Sequence, residues 1–96
     1  MIVLIMYDIS VSSPGGTKRL QKAAKTCLAY GQRIQNSVYE CDISTLEYEQ
    51  MKQELLQILD LDHDQLRFYR IPSKNKNYKE TFGSEMEISL DDPIIF

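Results

Sequence analysis

The chain has 96 residues, 43% of them apolar and 26% charged, which is the balance of one ordinary soluble globular domain and leaves no room for a second independent core. A net charge of −3, two cysteines and a single histidine exclude a disulfide scaffold, a cysteine-rich zinc module and any mechanism that needs two histidines from one chain. The longest apolar run, Ile2 to Met6, is far short of the ~20 residues of a membrane span, and no basic segment precedes it. The expectation is a cytoplasmic protein with no membrane contact. A domain of this size buries only about two-thirds of the surface its unfolded chain exposes, which favours a homodimer.

Residues 1 to 8 place Ile2, Leu4 and Met6 on one side and Val3, Ile5 and Tyr7 on the other. A strand apolar on both sides is central, covered twice by its own chain or once by helices and once by a second subunit. It ends in Asp8, and residues 10 to 16 form a turn-rich loop holding Ser12, Ser13, Pro14, Gly15 and Gly16. From Thr17 to Tyr30, Leu20, Ala23, Ala24, Cys27 and Leu28 recur at helical spacing, with Lys18, Arg19, Lys22 and Lys25 largely off that stripe. Gly31 is expected to end this helix in a left-handed cap.

Residues 33 to 43 are predicted to be extended, with a break near Gln35 and Asn36 that makes a short hairpin. Ser44 and Glu47 have the spacing of a capping box, and Tyr48, Met51, Leu55, Ile58 and Leu59 continue as a second amphipathic helix. Residues 66 to 71 alternate as a fourth strand that Pro72 ends. After a polar linker over 73 to 84, Met86, Ile88 and Leu90 alternate with Glu85, Glu87 and Ser89 as a fifth strand, and Asp91, Asp92, Pro93, Ile94, Ile95 and Phe96 follow. This order predicts an α+β fold, a ferredoxin-like βαββαβ sandwich with an appended C-terminal strand: a domain over 1–72, with 73–96 as linker, late strand and tail. The late strand suits a neighbour's sheet edge as well as its own.

Charge is segregated along the chain. Residues 1–43 carry five basic against three acidic side chains and residues 44–96 six against eleven; within the latter, Arg67, Arg70, Lys74, Lys76 and Lys79 cluster without an acid. Basic residues interleaved with Phe68, Tyr69 and Tyr78 suit a phosphate backbone, while the bland alternative is the solvated side of a helix. No recognition helix is set to read base edges. Asp60, Asp62 and Asp64 imitate a calcium loop but lack its glycine and its last glutamate, and they read as a solvated helix exit. Gly15 to Lys18 lacks P-loop spacing. His63 reads as an exposed loop residue, and Cys27 and Cys41 as reduced, buried packing residues.

Several segments together resemble one family. Tyr7-Asp8-Ile9 closes the first strand, Lys18-Arg19-Leu20 opens the helix, and the run from Tyr30 to Cys41, YGQRIQNSVYEC, is similar to the pattern of the CRISPR-associated Cas-two family; Arg67 to Pro72, RFYRIP, is similar to its fourth strand. The resemblance covers residues 1–72. It implies a ferredoxin-like homodimer whose late strand crosses to the other subunit, a CRISPR adaptation protein active in spacer acquisition. It also implies a dimer that bridges a Cas-one integrase and duplex DNA, and an Mg²⁺-dependent endonuclease acting on duplex DNA or single-stranded RNA. By position it makes Asp8 the catalytic and metal-binding residue, two copies meeting at the dimer interface. It also makes Lys18, Arg19 and Arg33 nucleic-acid contacts, and Arg67 and Arg70 join them as candidates from the charge of the basic run alone. Tyr39 stands where the family usually has Phe, and Lys18 where many members have Arg.

Two Asp8 carboxylates facing across a two-fold axis suit one hard cation that polarises a phosphoryl oxygen and activates a water. The bland alternative is that Asp8 caps the loop by accepting amide hydrogen bonds from Ser10 or beyond. Two further function classes stay open: a non-catalytic structural adaptor, and a ferredoxin-like regulatory dimer that binds a small metabolite.

Overall fold

The apolar alternation and the two helical stripes resolve, in a computed structural model that describes residues 1–72 and 77–83, into β1 (Ile2–Asp8), α1 (Gly16–Tyr30), β2 (Gln32–Gln35), β3 (Val38–Asp42), α2 (Thr45–Ile58) and β4 (Gln65–Ile71). The expected fifth strand and the 91–96 tail lie outside the described residues. The four strands form one antiparallel sheet in the order β2-β3-β1-β4. β1 lies between β3 and β4, with Ile5 opposite Tyr39 on one side and Phe68 on the other. That is the predicted α+β split βαβ arrangement, with β1 central.

Both helices cover the sheet face that carries Val3, Ile5 and Tyr7. With Leu20, Ala23, Ala24 and Cys27 of α1, Tyr39 and Cys41 of β3, and Tyr48, Met51 and Leu55 of α2, these side chains form one core. Leu66 and Phe68 pack against it from β4, Phe68 meeting the Tyr48 ring edge-on at 5.4 Å. The opposite face of the sheet is less covered: Leu4, Met6 and Val38 are half-buried, and Tyr69 is 46% exposed. No helix among the described residues is long and apolar enough to cross a membrane.

Local signals explain the element ends. Ser44 Oγ accepts from the Glu47 amide while the Glu47 carboxylate accepts from the Ser44 amide, so the capping box is closed and contributes about 1 kcal/mol to α2. Gly15 has a φ of 76°, the left-handed conformation that favours glycine, and precedes α1. Gly31 corrects its expectation: its backbone is extended, with φ −161°. Glycine is needed there because a Cβ would run into the Glu40 carbonyl and Cys41, whose Cα lies 2.9 Å away. Gly16 is equally constrained, since its Cβ would meet the Ser10 carbonyl and Val11 Cα, the latter at 2.7 Å. The loop after β1 therefore lies tight against the start of α1.

Candidate metal and nucleic-acid site

Asp8 is the last residue of β1 and pairs with Gln65, the first residue of β4. Alternation places its side chain on the sheet face of Leu4 and Met6, away from the helices. Its neighbours Tyr7 and Ile9 are both buried, so the backbone on each side is anchored while Asp8 is exposed. Among the described residues no donor or cation engages the Asp8 carboxylate. The capping role that was its bland alternative belongs to another acid: the Ser10 amide donates to Asp64 Oδ1 at 3.0 Å.

Asp64 corrects the reading of residues 60 to 64 as a wholly solvated helix exit. Its side chain is fully buried and accepts four hydrogen bonds. Oδ1 takes the Ser10 amide and Arg19 Nη2 at 3.2 Å, and Oδ2 takes Arg19 Nε at 2.8 Å and the Asp60 amide at 2.9 Å. Burial pushes this carboxyl up, but hydrogen bonds from Arg19, Asp60 and Ser10, with the Arg19 charge, outweigh it and hold it below the usual carboxylate range. Arg19 also donates to the Pro14 carbonyl at 2.7 Å and to Ser13 Oγ at 2.6 Å, so its guanidinium ties the β1–α1 loop to the turn before β4. Asp60 and Asp62 remain near the surface. His63 is exposed as expected, with Nδ1 2.8 Å from Asp60, and that bond lowers the Asp60 carboxyl.

Arg33 is equally inward. It lies opposite Tyr39 in the β2–β3 pair, is only 8% exposed, and donates through Nε at 3.0 Å and Nη2 at 2.7 Å to the Tyr39 hydroxyl. The guanidinium also stands 5.3 Å from the Tyr39 ring centroid. Both lone pairs of that hydroxyl are thereby occupied, which assigns its proton to the Tyr7 oxygen 2.9 Å away. Burial raises the Tyr39 phenol even though the hydrogen bonds and charge of Arg33 oppose it. Tyr39, noted in the sequence only as a replacement for Phe, supplies the hydroxyl that Arg33 needs inside the fold.

The remaining basic candidates do not share one surface. Lys18 and Lys22 are exposed on α1 and line a groove of about 470 Å³ with Arg19, Glu54, Gln57 and Ile58. Arg67 pairs with Met6, so it shares Asp8's sheet face one cross-strand step away. Arg70 has the opposite parity and stands over the Tyr48 ring at 5.6 Å, with Lys52 at 5.1 Å from the same ring. Asp8 and Arg67 are thus brought together, Lys18 lies on the helical layer, and Arg19 and Arg33 point into the protein.

Among the described residues no three His, Cys, Asp or Glu side chains gather in a metal-binding cluster. On this sheet face, beside the end of β1, the described residues offer one unengaged carboxylate, that of Asp8. That donor set fits Mg²⁺, which keeps most of its waters and takes one or two carboxylates plus substrate phosphate, and does not fit an all-protein cage. Burial pushes the Cys27 thiol up to about 12 and the Cys41 thiol up to about 11, so neither is a ready nucleophile.

Comparison with known proteins agrees with this architecture. Residues 1–79 match the family model described as CRISPR associated protein Cas2. The chain is 48% identical over 96 residues to the CRISPR-associated endonuclease Cas2 of Halalkalibacterium halodurans, covering all of both chains. It is 41% identical over 95 residues to a CRISPR-associated endoribonuclease Cas2 of Moorella thermoacetica, covering 99% of each. Among solved structures, that of Streptococcus pyogenes Cas2 superposes with a TM-score of 0.74 at 43% identity, over 86% of this chain and 100% of that one.

Proposed function

The chain belongs to the Cas2 family of CRISPR associated proteins, and from that premise we propose that it works as a cytoplasmic homodimeric, Mg²⁺-dependent endonuclease on RNA or DNA phosphodiester bonds. The observation that carries the reading is Asp8: an exposed carboxylate, anchored on both sides, with no internal partner among the described residues. Two copies, one from each subunit, would hold the cation. When bound, Mg²⁺ supplies polarisation of a phosphoryl oxygen and an activated water.

The chain's own residues have separable roles. Asp8 holds the cation, and Arg67, on the same face, neutralises a phosphate beside it. Lys18 takes a backbone phosphate as a point charge from the helical layer, and Arg70 does so from the β4 edge. Arg19 and Arg33 serve binding through the loop and hairpin they hold, since their guanidinium groups face inward. The half-exposed apolar face of β1 and β4 is the surface for the second subunit.

The test is cleavage of end-labelled RNA and duplex DNA with Mg²⁺ or EDTA, beside an identically prepared Asp8→Ala protein. Metal-dependent cutting by the parent that disappears in the variant is the expected outcome. Equal cutting by both would place the activity elsewhere and sink the reading.

A companion role is favoured by the spread of exposed basic residues over two faces, which suits duplex backbone more than a small substrate. In that role the dimer bridges duplex DNA and a Cas-one integrase during spacer acquisition. Asp8→Ala should then leave DNA binding and acquisition intact while abolishing cleavage. A salt-independent affinity, or none, would remove the DNA-binding role and favour the metabolite-binding alternative.

A further inference from the structure

We propose that Asp64 is a positioning residue for Asp8: it holds the Ile9–Ser10 peptide directly and, through Arg19, the rest of the β1–α1 loop, and so sets where the Asp8 carboxylate meets a cation. The inference rests on the reading of Asp8 as the cation site.

The register makes the connection. The β1–β4 ladder ends at the Asp8–Gln65 pair, which leaves residue 64 beside the backbone that follows Asp8. Beyond the end of the ladder, the Ser10 amide donates to the Asp64 carboxylate. Arg19, held by the same carboxylate, gathers Ser13 and Pro14, and α1 begins at Gly16 with no room for a side chain against Ser10 and Val11. The backbone around Asp8 is thus held by the β1–β4 pairing up to Gln65, by the Ser37 carbonyl that accepts from the Tyr7 amide, and by Asp64 at Ser10. Asp64 cannot itself be a ligand, because each of its oxygens already accepts two hydrogen bonds and its side chain is fully buried. Only a carboxylate suffices: an asparagine would turn one acceptor oxygen into a donor facing Arg19 and a backbone amide. Residues one step behind a metal ligand commonly change metal affinity about 10-fold or more when replaced.

The experiment measures Mn²⁺ binding to the full chain by the free-ion paramagnetic resonance signal, together with amide exchange at Ser10 without metal. The proteins are the parent, Asp64→Asn, Asp8→Ala and Met51→Ala, the last a buried α2 control. Asp64→Asn should weaken Mn²⁺ binding about 10-fold and speed Ser10 exchange. Met51→Ala should leave both within about twofold even where its thermal midpoint falls as far. Equal weakening in Asp64→Asn and Met51→Ala, with Asp8→Ala still weaker, would reduce Asp64 to a stabiliser and overturn the inference alone. Unchanged Mn²⁺ binding in Asp8→Ala would overturn the reading of Asp8 and the inference with it. Should Asp64→Asn fail to fold, Arg19→Lys decides, since it keeps the Ser10 and Asp60 bonds and loses the fork. A weakening of Mn²⁺ binding is expected, and parental affinity would overturn the proposal.

Discussion

Two carboxylates stand at the same end of the sheet and have opposite circumstances. Asp8 is exposed and has no partner among the described residues, while Asp64, the residue just before the neighbouring strand, is buried under four hydrogen bonds. The contrast follows from solvation. A carboxylate removed from water is tolerable only with its lone pairs filled, whereas an exposed one keeps its hydration and remains available to a cation or phosphate-bound metal. The same division separates Arg19 and Arg33 from Lys18 and Arg67. Sequence position makes all of these candidates for function, and burial sorts those that build the site from those left to act in it.

The largest effect that tests this division is on stability. Asp64→Ala leaves the Arg19 guanidinium without its carboxylate and strands two amides, and should cost about 3–5 kcal/mol in chemical denaturation. Asp8→Ala should change stability by no more than about 0.5 kcal/mol. A comparable loss in both would erase the distinction. The pH dependence has a definite sign: Asp64 has a lowered pKa in the folded protein, so its contribution is complete above the unfolded value of about 4 and is lost as pH falls through the folded value. Acid denaturation of the parent should therefore steepen below about pH 4, and Asp64→Asn should flatten that limb.

Two glycines sharpen the comparison at smaller amplitude. Gly16→Ala and Gly31→Ala each force a Cβ against backbone, the first against the loop after Asp8, the second against Glu40 and Cys41 of β3. Both should cost about 1–3 kcal/mol. Only Gly16→Ala displaces the chain beside the proposed cation site at Asp8, so it should also weaken Mn²⁺ binding, while Gly31→Ala should leave it unchanged. Identical effects on binding would mean that the site follows global stability and not local placement.

The fold was legible because its signals are local. Two-residue alternation marks β1 and β4, the helical stripes mark α1 and α2, and Ser44 with Glu47 announces the second helix start. The break at Gln35 and Asn36 separates β2 from β3 where expected. The placement of charge was less legible because it depends on partners distant in sequence. Asp64 sits in an acidic, turn-like run that reads as solvated, and its burial becomes favourable only when Arg19, 45 residues earlier, arrives beside it. One signal was available: antiparallel pairing of β1 with β4 brings residue 64 to the loop after Asp8. Likewise, the odd spacing of Arg67 and Arg70 already puts them on opposite faces of one strand. Arg33 gave no comparable signal, since its inward turn depends on the Tyr39 hydroxyl.

The smallest effect separates the adjacent residues Lys18 and Arg19, which the sequence presents as one basic pair at the start of a helix. Lys18 is exposed beside the α1–α2 groove, whereas Arg19 donates to Asp64, Ser13 and Pro14. If Lys18 neutralises a duplex phosphate, Lys18→Ala should lower the slope of log K against log salt by about 0.9 for each copy engaged, with the melting temperature unchanged. Arg19→Ala removes the same formal charge but takes it from an internal bond, so it should lower the melting temperature and leave the salt slope of the folded fraction near the parental value. DNA titrations at four salt concentrations, run well below the variant's melting temperature, measure both slopes. An equal drop for the two variants would mean that Arg19 leaves Asp64 to meet the phosphate backbone, and the division between building and acting residues would fail at this position.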